Sequence, residues 1–304
     1  MRSCRHGPSG RVGQGCCAPA APGRVWPVRT SISAISTRNA AFAEDVAAYA
    51  AAGVGAMGIW ELKLGADDDG SLALLREHGL GVANCVPRVP SVLPLNRPGM
   101  ELPADPHERI ALLCASIRRL AAFEPESVVV LAGPLGSRTR EEGVALVREG
   151  LRQAAAVARE VGVRLAFEPV HPSQELLTGF VTSLAFADEV LAAPGLEQIG
   201  ILFDTYHVCD DPTAEAWLAA NHHRVAALHV SDWPAPDDSA ARADAARLLP
   251  EPAGGSARLV RALVATGWDG SVDIEIFSTP SRFWGLPVAE AARQAQAAAA
   301  FLLA

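Results

Sequence analysis

The sequence predicts a single closed (β/α)8 barrel, and three observations predict it. From Arg29 onward a short apolar run, a polar turn and an Ala- and Leu-rich helical stretch recur eight times, and strands alternating with helices imply βαβ units on a parallel sheet. Gly53, Gly79, Gly162 and Gly267 each stand between a helical stretch and the next strand, where a left-handed residue closes a helix. No GxGxxG or GxxxxGK[ST] follows the first strand, which disfavours the dinucleotide-binding and P-loop versions of an open doubly wound sheet. A length of 304 residues suits one barrel.

In chain order, strands are expected at residues 31–36, 56–63, 81–86, 127–131, 164–168, 200–204, 226–230 and 272–276. Helices are expected at 40–52, 71–78, 106–122, 140–161, 183–193, 213–221, 256–266 and 288–303. The barrel therefore spans residues 28–304. Residues 1–27 are rich in Gly, Pro and Arg, show no hydrophobic periodicity and lack the apolar core of a secretory signal. They read as a disordered N-terminal tail and an over-extended gene start, with a transit peptide as the alternative.

Half of the residues are hydrophobic and a fifth charged, enough for a sizeable core and against global disorder. No run of eighteen apolar residues occurs, so no membrane partner is expected. The net charge is −8, and the first thirty residues hold five Arg and no acid, which leaves −13 on the remainder. An acidic body argues against nucleic acid as a partner, because phosphate neutralisation needs clustered Lys and Arg. Lys63 is the only lysine, against 25 arginines. Cys4, Cys16 and Cys17 lie in the tail, and Cys85, Cys114 and Cys209 are isolated. Without a disulfide framework, a reducing cytoplasm is the expected location.

Catalytic groups of a barrel sit at the C-terminal ends of its strands. Four consecutive strands there each offer a metal-ligating side chain: Glu168 in RLAFE, Asp204 in GILFD, His229 in AALH and Glu275 in VDIE. Burying one ionisable residue in an apolar strand is costly unless it is paired or bound to a metal. A single one is readily a core ion pair; four at one level point to a shared cation. Alternation puts Ala166, Leu202 with Gly200, and Ala227 on the faces of Glu168, Asp204 and His229, small or apolar as a barrel interior requires. Glu275 shares its face with Asp273, which places Asp273 near the barrel's bottom. Three carboxylates and one imidazole suit Mn²⁺, Mg²⁺ or Co²⁺, with Zn²⁺ as a further option. Four protein ligands leave one or two positions for substrate oxygens or water.

Other candidates surround this set. His207, three residues after Asp204, is expected to contact substrate, as is His171 in EPVHP. Asp232, three after His229, is expected either to fix the imidazole from the second shell or to cap the following segment. Trp233 and Trp284 fall on loops where an aromatic wall for a sugar ring or ordinary packing would serve. Glu61 and Lys63 share a face of the second strand and are expected to form an internal salt bridge, while His222 and His223 lie at the opposite end and do no chemistry.

With these residues in place, the chain resembles the sugar phosphate isomerase/epimerase group of xylose isomerase-like TIM barrels. The resemblance is carried by LAFEPVHP (165–172), GILFDTYHV (200–208), ALHVSDW (227–233) and GWDGSVDIEIFS (267–278). It implies that Glu168, Asp204, His229 and Glu275 ligate the metal, that Glu168 and Glu275 form the acid/base pair, and that His207 is near the substrate. Similar proteins carry Asp-Arg and then Pro-Gly-Asp/Glu-Gly after the seventh strand, where an Arg contacts substrate. Here the run is ARLLPEPAGG (246–255), which keeps Arg247 and loses the Gly-acid-Gly core.

The expected reaction is proton transfer beside a carbonyl of a sugar, sugar phosphate or cyclitol, through a metal-stabilised enediolate. The alternatives are a lyase that dehydrates an inosose-type substrate on the same site, and a barrel that binds sugar without turnover. Phosphodiester hydrolysis would need more ligands than His78 and Glu61 add, and a class I aldolase would need Lys63 as its Schiff-base lysine. Specificity in a barrel resides in its loops, and assembly as a homo-oligomer is compatible with this sequence.

Overall fold

Eight parallel strands close on themselves in sequence order, β1 through β8 and back to β1, in a computed structural model that describes residues 28–98, 100–234 and 246–303. The expected tail, residues 1–27, lies outside the described residues. Strands and helices alternate as β1 (Arg29–Ser33), α1 (Phe42–Ala51), β2 (Ala56–Trp60), α2 (Asp68–Glu77), β3 (Gly81–Val86) and α3 (Pro106–Leu120). There follow β4 (Ser127–Leu131), α4 (Arg140–Val161), β5 (Leu165–Glu168), α5 (Leu184–Leu191) and β6 (Gly200–Asp204). The chain ends with α6 (Ala214–Asn221), β7 (Val225–Val230), α7 (Gly255–Val264), β8 (Ser271–Ile274) and α8 (Val288–Leu302). Closure is made by β1 against β8, with Ile32 opposite Ile274 and Ser31 opposite Asp273.

Local signals set the helix ends. Thr139 and Glu142 form a reciprocal capping box at the start of α4, satisfying two N–H groups that the helix cannot. The four predicted helix-closing glycines all take positive φ, Gly162 at 75° for example. Along each strand alternate residues face the helices. Phe203, beside inward Asp204, stacks on Trp217 of α6 with ring centroids 6.2 Å apart.

The barrel interior is layered. At the N-terminal end Glu126 accepts from Ser271 N and Oγ and pairs with Arg29. Above it, Asp273 accepts from Ser31 Oγ and Asn84 Nδ2, both at 2.7 Å. Asp273 is therefore not at the barrel's bottom but in its middle, 3.6 Å from His229 Nε2. The layer holding His229 and Glu275 comes next.

Two strands are shorter at their C-terminal ends than their apolar runs suggested. β1 gives way to a one-turn 3-10 helix at Ala34–Thr37, and β2 to another at Glu61–Lys63. That second turn removes the expected Glu61–Lys63 bridge. Lys63 instead pairs with Asp45 of α1 and donates to Ala34 O and Thr37 O. Glu61 accepts from Arg88 N and lies 3.2 Å from Arg119. Cys85, Cys114 and Cys209 form no disulfide. Among the described residues no helix is long and apolar enough to cross a membrane.

Gly58 on β2 faces the middle layer, and a Cβ there would meet Asp273 Oδ2 at 2.4 Å and Ser33 Cα at 3.2 Å. Overpacking of this kind costs about 1–3 kcal/mol. Gly58→Ala should therefore lower the urea midpoint, measured on chelated protein; an unchanged midpoint would show that the middle layer has slack.

Candidate metal centre and active site

The sheet register delivers the four predicted residues to one end of the barrel. Glu168 and Asp204 are the last residues of β5 and β6, His229 is the penultimate residue of β7, and Glu275 follows β8 directly. Leu131 pairs with Glu168, Asp204 with His229 and His229 with Asp273. The backbone N–H of Glu275 donates to Val230 O, which continues the β7 ladder by one residue. All four side chains are buried, Asp204 completely. Ligating atoms of Glu168, Asp204 and His229 lie within 4.8 Å of one another, and Glu275 Oε2 is 3.2 Å from His229 Nδ1.

Burial and crowding control protonation here. Burial first, and then the charges of Asp204 and Glu275, push the Glu168 carboxyl up to about 8. Burial pulls the His229 imidazole down, but Glu275, Asp273 and Glu168 outweigh it and raise it to about 10. Burial also raises Asp273 to about 6. Without a metal the site thus collects protons to offset its own negative charge. Neither ring nitrogen of His229 has an aligned hydrogen-bond partner, although carboxylates surround it. A buried imidazole among carboxylate oxygens, 3.2 Å from Glu275 and 3.6 Å from Asp273, is a donor set that fits a divalent cation.

The surrounding candidates divide. His207 lines the cavity, its Nε2 being 3.7 Å from Glu168 Oε1 and 3.8 Å from Asp204 Oδ2. Its Nδ1 accepts from the backbone N–H of His171, so the neutral ring carries its hydrogen on Nε2. His171 is not among the cavity's lining residues; its ring meets Ser173 Oγ at 2.8 Å and Asp210 Oδ2 at 3.3 Å, and its backbone orients His207. Asp232 corrects the second-shell expectation. Its carboxylate accepts from Glu251 N and Ser256 N, and its backbone bridges Leu248, so it shapes the loop into α7 while Glu275 and Asp273 flank His229. Trp233 packs over Gly255 at the start of α7 and is likewise absent from the cavity lining, whereas Trp284 is on it.

Arg247 reaches farther into the site than the sequence indicated. Its Nη1 donates to Asp204 Oδ2 at 2.7 Å and to Glu275 Oε2 at 3.3 Å, and the side chain is buried. The guanidinium lies over Tyr206 and Phe277, 4.6 and 5.0 Å from their centroids. No periodicity signals this, because a loop brings it in.

The mouth opens into a cavity of about 600 Å³ whose other walls include Trp60, Leu95, Met100, Leu131, Phe277 and Trp284. Trp284 Nε1 donates to Ile35 O and Ile276 O, which fixes the indole plane. Fully buried Arg109 donates to Ser91 and to Pro103 O and so secures the loop that supplies Leu95 and Met100. Phe277 and the Arg38 guanidinium stacked on Trp284 were not singled out in the sequence; Phe277 lies two residues beyond Glu275, on the same side by alternation.

A family profile described as xylose isomerase-like TIM barrel matches residues 46–304. Among solved structures, a protein from Sinorhizobium meliloti 1021 superposes with a TM-score of 0.74 at 23% identity, covering 88% of this chain and 96% of that one. The IolI protein, crystallised with a bound zinc atom, gives 0.72 at 17% identity over 91% of this chain and 98% of its own. D-Psicose 3-epimerase from Clostridium cellulolyticum H10 gives 0.67 at 16% identity over 90% and 98%. At these identities the likeness is one of fold. No curated protein matches the sequence.

The raised protonation equilibria make a stability prediction. A group whose folded pKa exceeds its unfolded value stabilises below the unfolded value, and that contribution is lost as pH rises through the folded one. For Glu168 the loss runs up to about 8, and for His229 up to about 10. The melting temperature of chelated protein should fall as pH rises from about 5 to about 9, and saturating Mn²⁺ should flatten that slope. A flat profile in the chelated protein would show that these groups keep their ordinary pKa values.

Proposed function

This chain belongs to the xylose isomerase-like TIM barrel family, and we propose that it is a divalent-metal-dependent isomerase or epimerase of a small sugar, sugar phosphate or cyclitol. The observation that carries the reading is the convergence of Glu168, Asp204, His229 and Glu275, from four consecutive strands, on one buried point at the barrel's C-terminal mouth. Neighbours of the same fold named as D-psicose 3-epimerase and L-ribulose 3-epimerase, and an IolI protein with bound zinc, support it.

A divalent cation held by these four side chains would supply Lewis-acid stabilisation of negative charge developing beside a substrate carbonyl. The chain's own groups account for the rest. Glu168, buried at the end of β5, is the group that as a carboxylate takes a proton from the carbon next to the carbonyl. Glu275, steadied by Ser33 Oγ at 3.2 Å, is the partner acid: in its protonated form it gives its proton to the opposite face or to the neighbouring carbon and is left as the carboxylate. The first outcome is epimerisation and the second aldose–ketose isomerisation. His207, with Nδ1 occupied by the His171 N–H, presents its Nε2 hydrogen to a substrate oxygen. Phe277, Trp284 and Leu131 line the cavity and shield the enediolate from water.

The test is solvent-deuterium exchange into a panel of ketoses, inososes and their phosphates, with metal content measured on each preparation. Glu168→Gln and Glu275→Gln should each lower exchange by at least about 100-fold. Exchange retained in both variants would overturn the assignment. A new ultraviolet-absorbing product would move the chemistry to dehydration, which starts from the same proton abstraction.

A further inference from the structure

We propose that Arg247 is a resident counter-cation that competes with the divalent ion for Asp204 and Glu275, so that metal loading requires the guanidinium to leave them. The inference rests on the metal-binding reading above and goes beyond it by assigning what sets the affinity. Each carboxylate has one oxygen committed to the scaffold and one turned to the site. Asp204 Oδ1 accepts from Tyr206 N at 2.9 Å, and Oδ2 accepts from Arg247 at 2.7 Å. Glu275 Oε1 accepts from Ser33, while Oε2 faces both His229 Nδ1 and Arg247. Arg247 therefore engages the oxygens that a cation would need, and one positive charge substitutes for another.

The surroundings permit this exchange. The backbone of the arm is tied down next door, where Leu248 and Asp232 exchange two hydrogen bonds of 2.9 Å. The head group, by contrast, rests between the flat faces of Tyr206 and Phe277, surfaces along which a guanidinium can slide without losing cation–π contact. Its Nη2 also lies 3.4 Å from His207 Nε2. In the tautomer fixed by His171 that nitrogen bears a hydrogen, so two donors face each other. The guanidinium thus sits on the two carboxylate oxygens that face the site. Once those oxygens turn to a divalent ion, like-charge repulsion drives the guanidinium towards the cavity, where an oxygen-rich substrate would meet it.

Calorimetric titration of chelated protein with Mn²⁺ tests the competition without reference to turnover. Arg247→Ala should bind Mn²⁺ at least about tenfold more tightly than the wild type, the size expected of a moderate coupling between two sites. Arg247→Lys, which keeps the charge, should stay near the wild type. The chelated Arg247→Ala protein should melt below the chelated wild type, and saturating Mn²⁺ should narrow that gap. Arg247→Gln, which retains most of the packed stem, provides the same readout if the alanine variant does not fold. Equal or weaker Mn²⁺ affinity in the charge-removing variant overturns the proposal while leaving the metal-dependent function standing. Mn²⁺ binding to neither wild type nor variant overturns both.

Discussion

The site depends on one constraint: carboxylates of Glu168, Asp204, Glu275 and Asp273 are buried together and must be neutralised. Removing such a group from water costs several kcal/mol unless an opposite charge or a proton compensates. The structure shows three compensations at once. Burial raises the proton affinity of Glu168, the surrounding acids raise that of His229, and Arg247 lies against Asp204 and Glu275. A divalent cation would replace several of these with a single ligand. The same crowding that makes the cluster costly to bury is what the proposed cation would relieve.

The barrel is the means by which this cluster is assembled. Closure in sequence order puts β5 to β8 side by side, so residues up to 107 positions apart in sequence meet within one layer. The middle layer of Ser31, Asn84 and Asp273 supports His229 from beneath. Loops then supply the variable parts. Asp232 shapes the segment that delivers Arg247, the His171 backbone sets the His207 tautomer, and Arg109 fixes the loop carrying Leu95 and Met100. A rigid floor and adjustable walls are how one fold serves many substrates.

Most of the floor was legible in the sequence because its signals are local and periodic. Alternation put Glu168, Asp204 and His229 inward, and the four glycines between helix and strand all take the predicted left-handed turn. What was not legible depends on tertiary geometry. β2 stops at Trp60, and the turn after it parts Glu61 from Lys63 because each finds a partner on a different helix, Arg119 of α3 and Asp45 of α1. Of the two readings of Asp232, spacing from His229 alone did not choose, and the fold turns it to cap the N-terminus of α7. The resemblance marks Arg247 for substrate contact, but its reach to Asp204 and Glu275 shows only once the loop after β7 is folded. Of the two tryptophans expected on loops, Trp284 lines the cavity with Phe277, while Trp233 packs on Gly255.

The central claim is that side chains from β5 to β8 surround a single divalent cation. Anomalous diffraction at the manganese edge, from a crystal equilibrated with Mn²⁺, tests it most directly. One strong peak is predicted, with oxygens of Glu168, Asp204 and Glu275 and a nitrogen of His229 each within about 2.5 Å of it. A crystal with no anomalous peak at the barrel mouth, or with manganese held elsewhere and these four side chains still bonded to one another, would contradict the account.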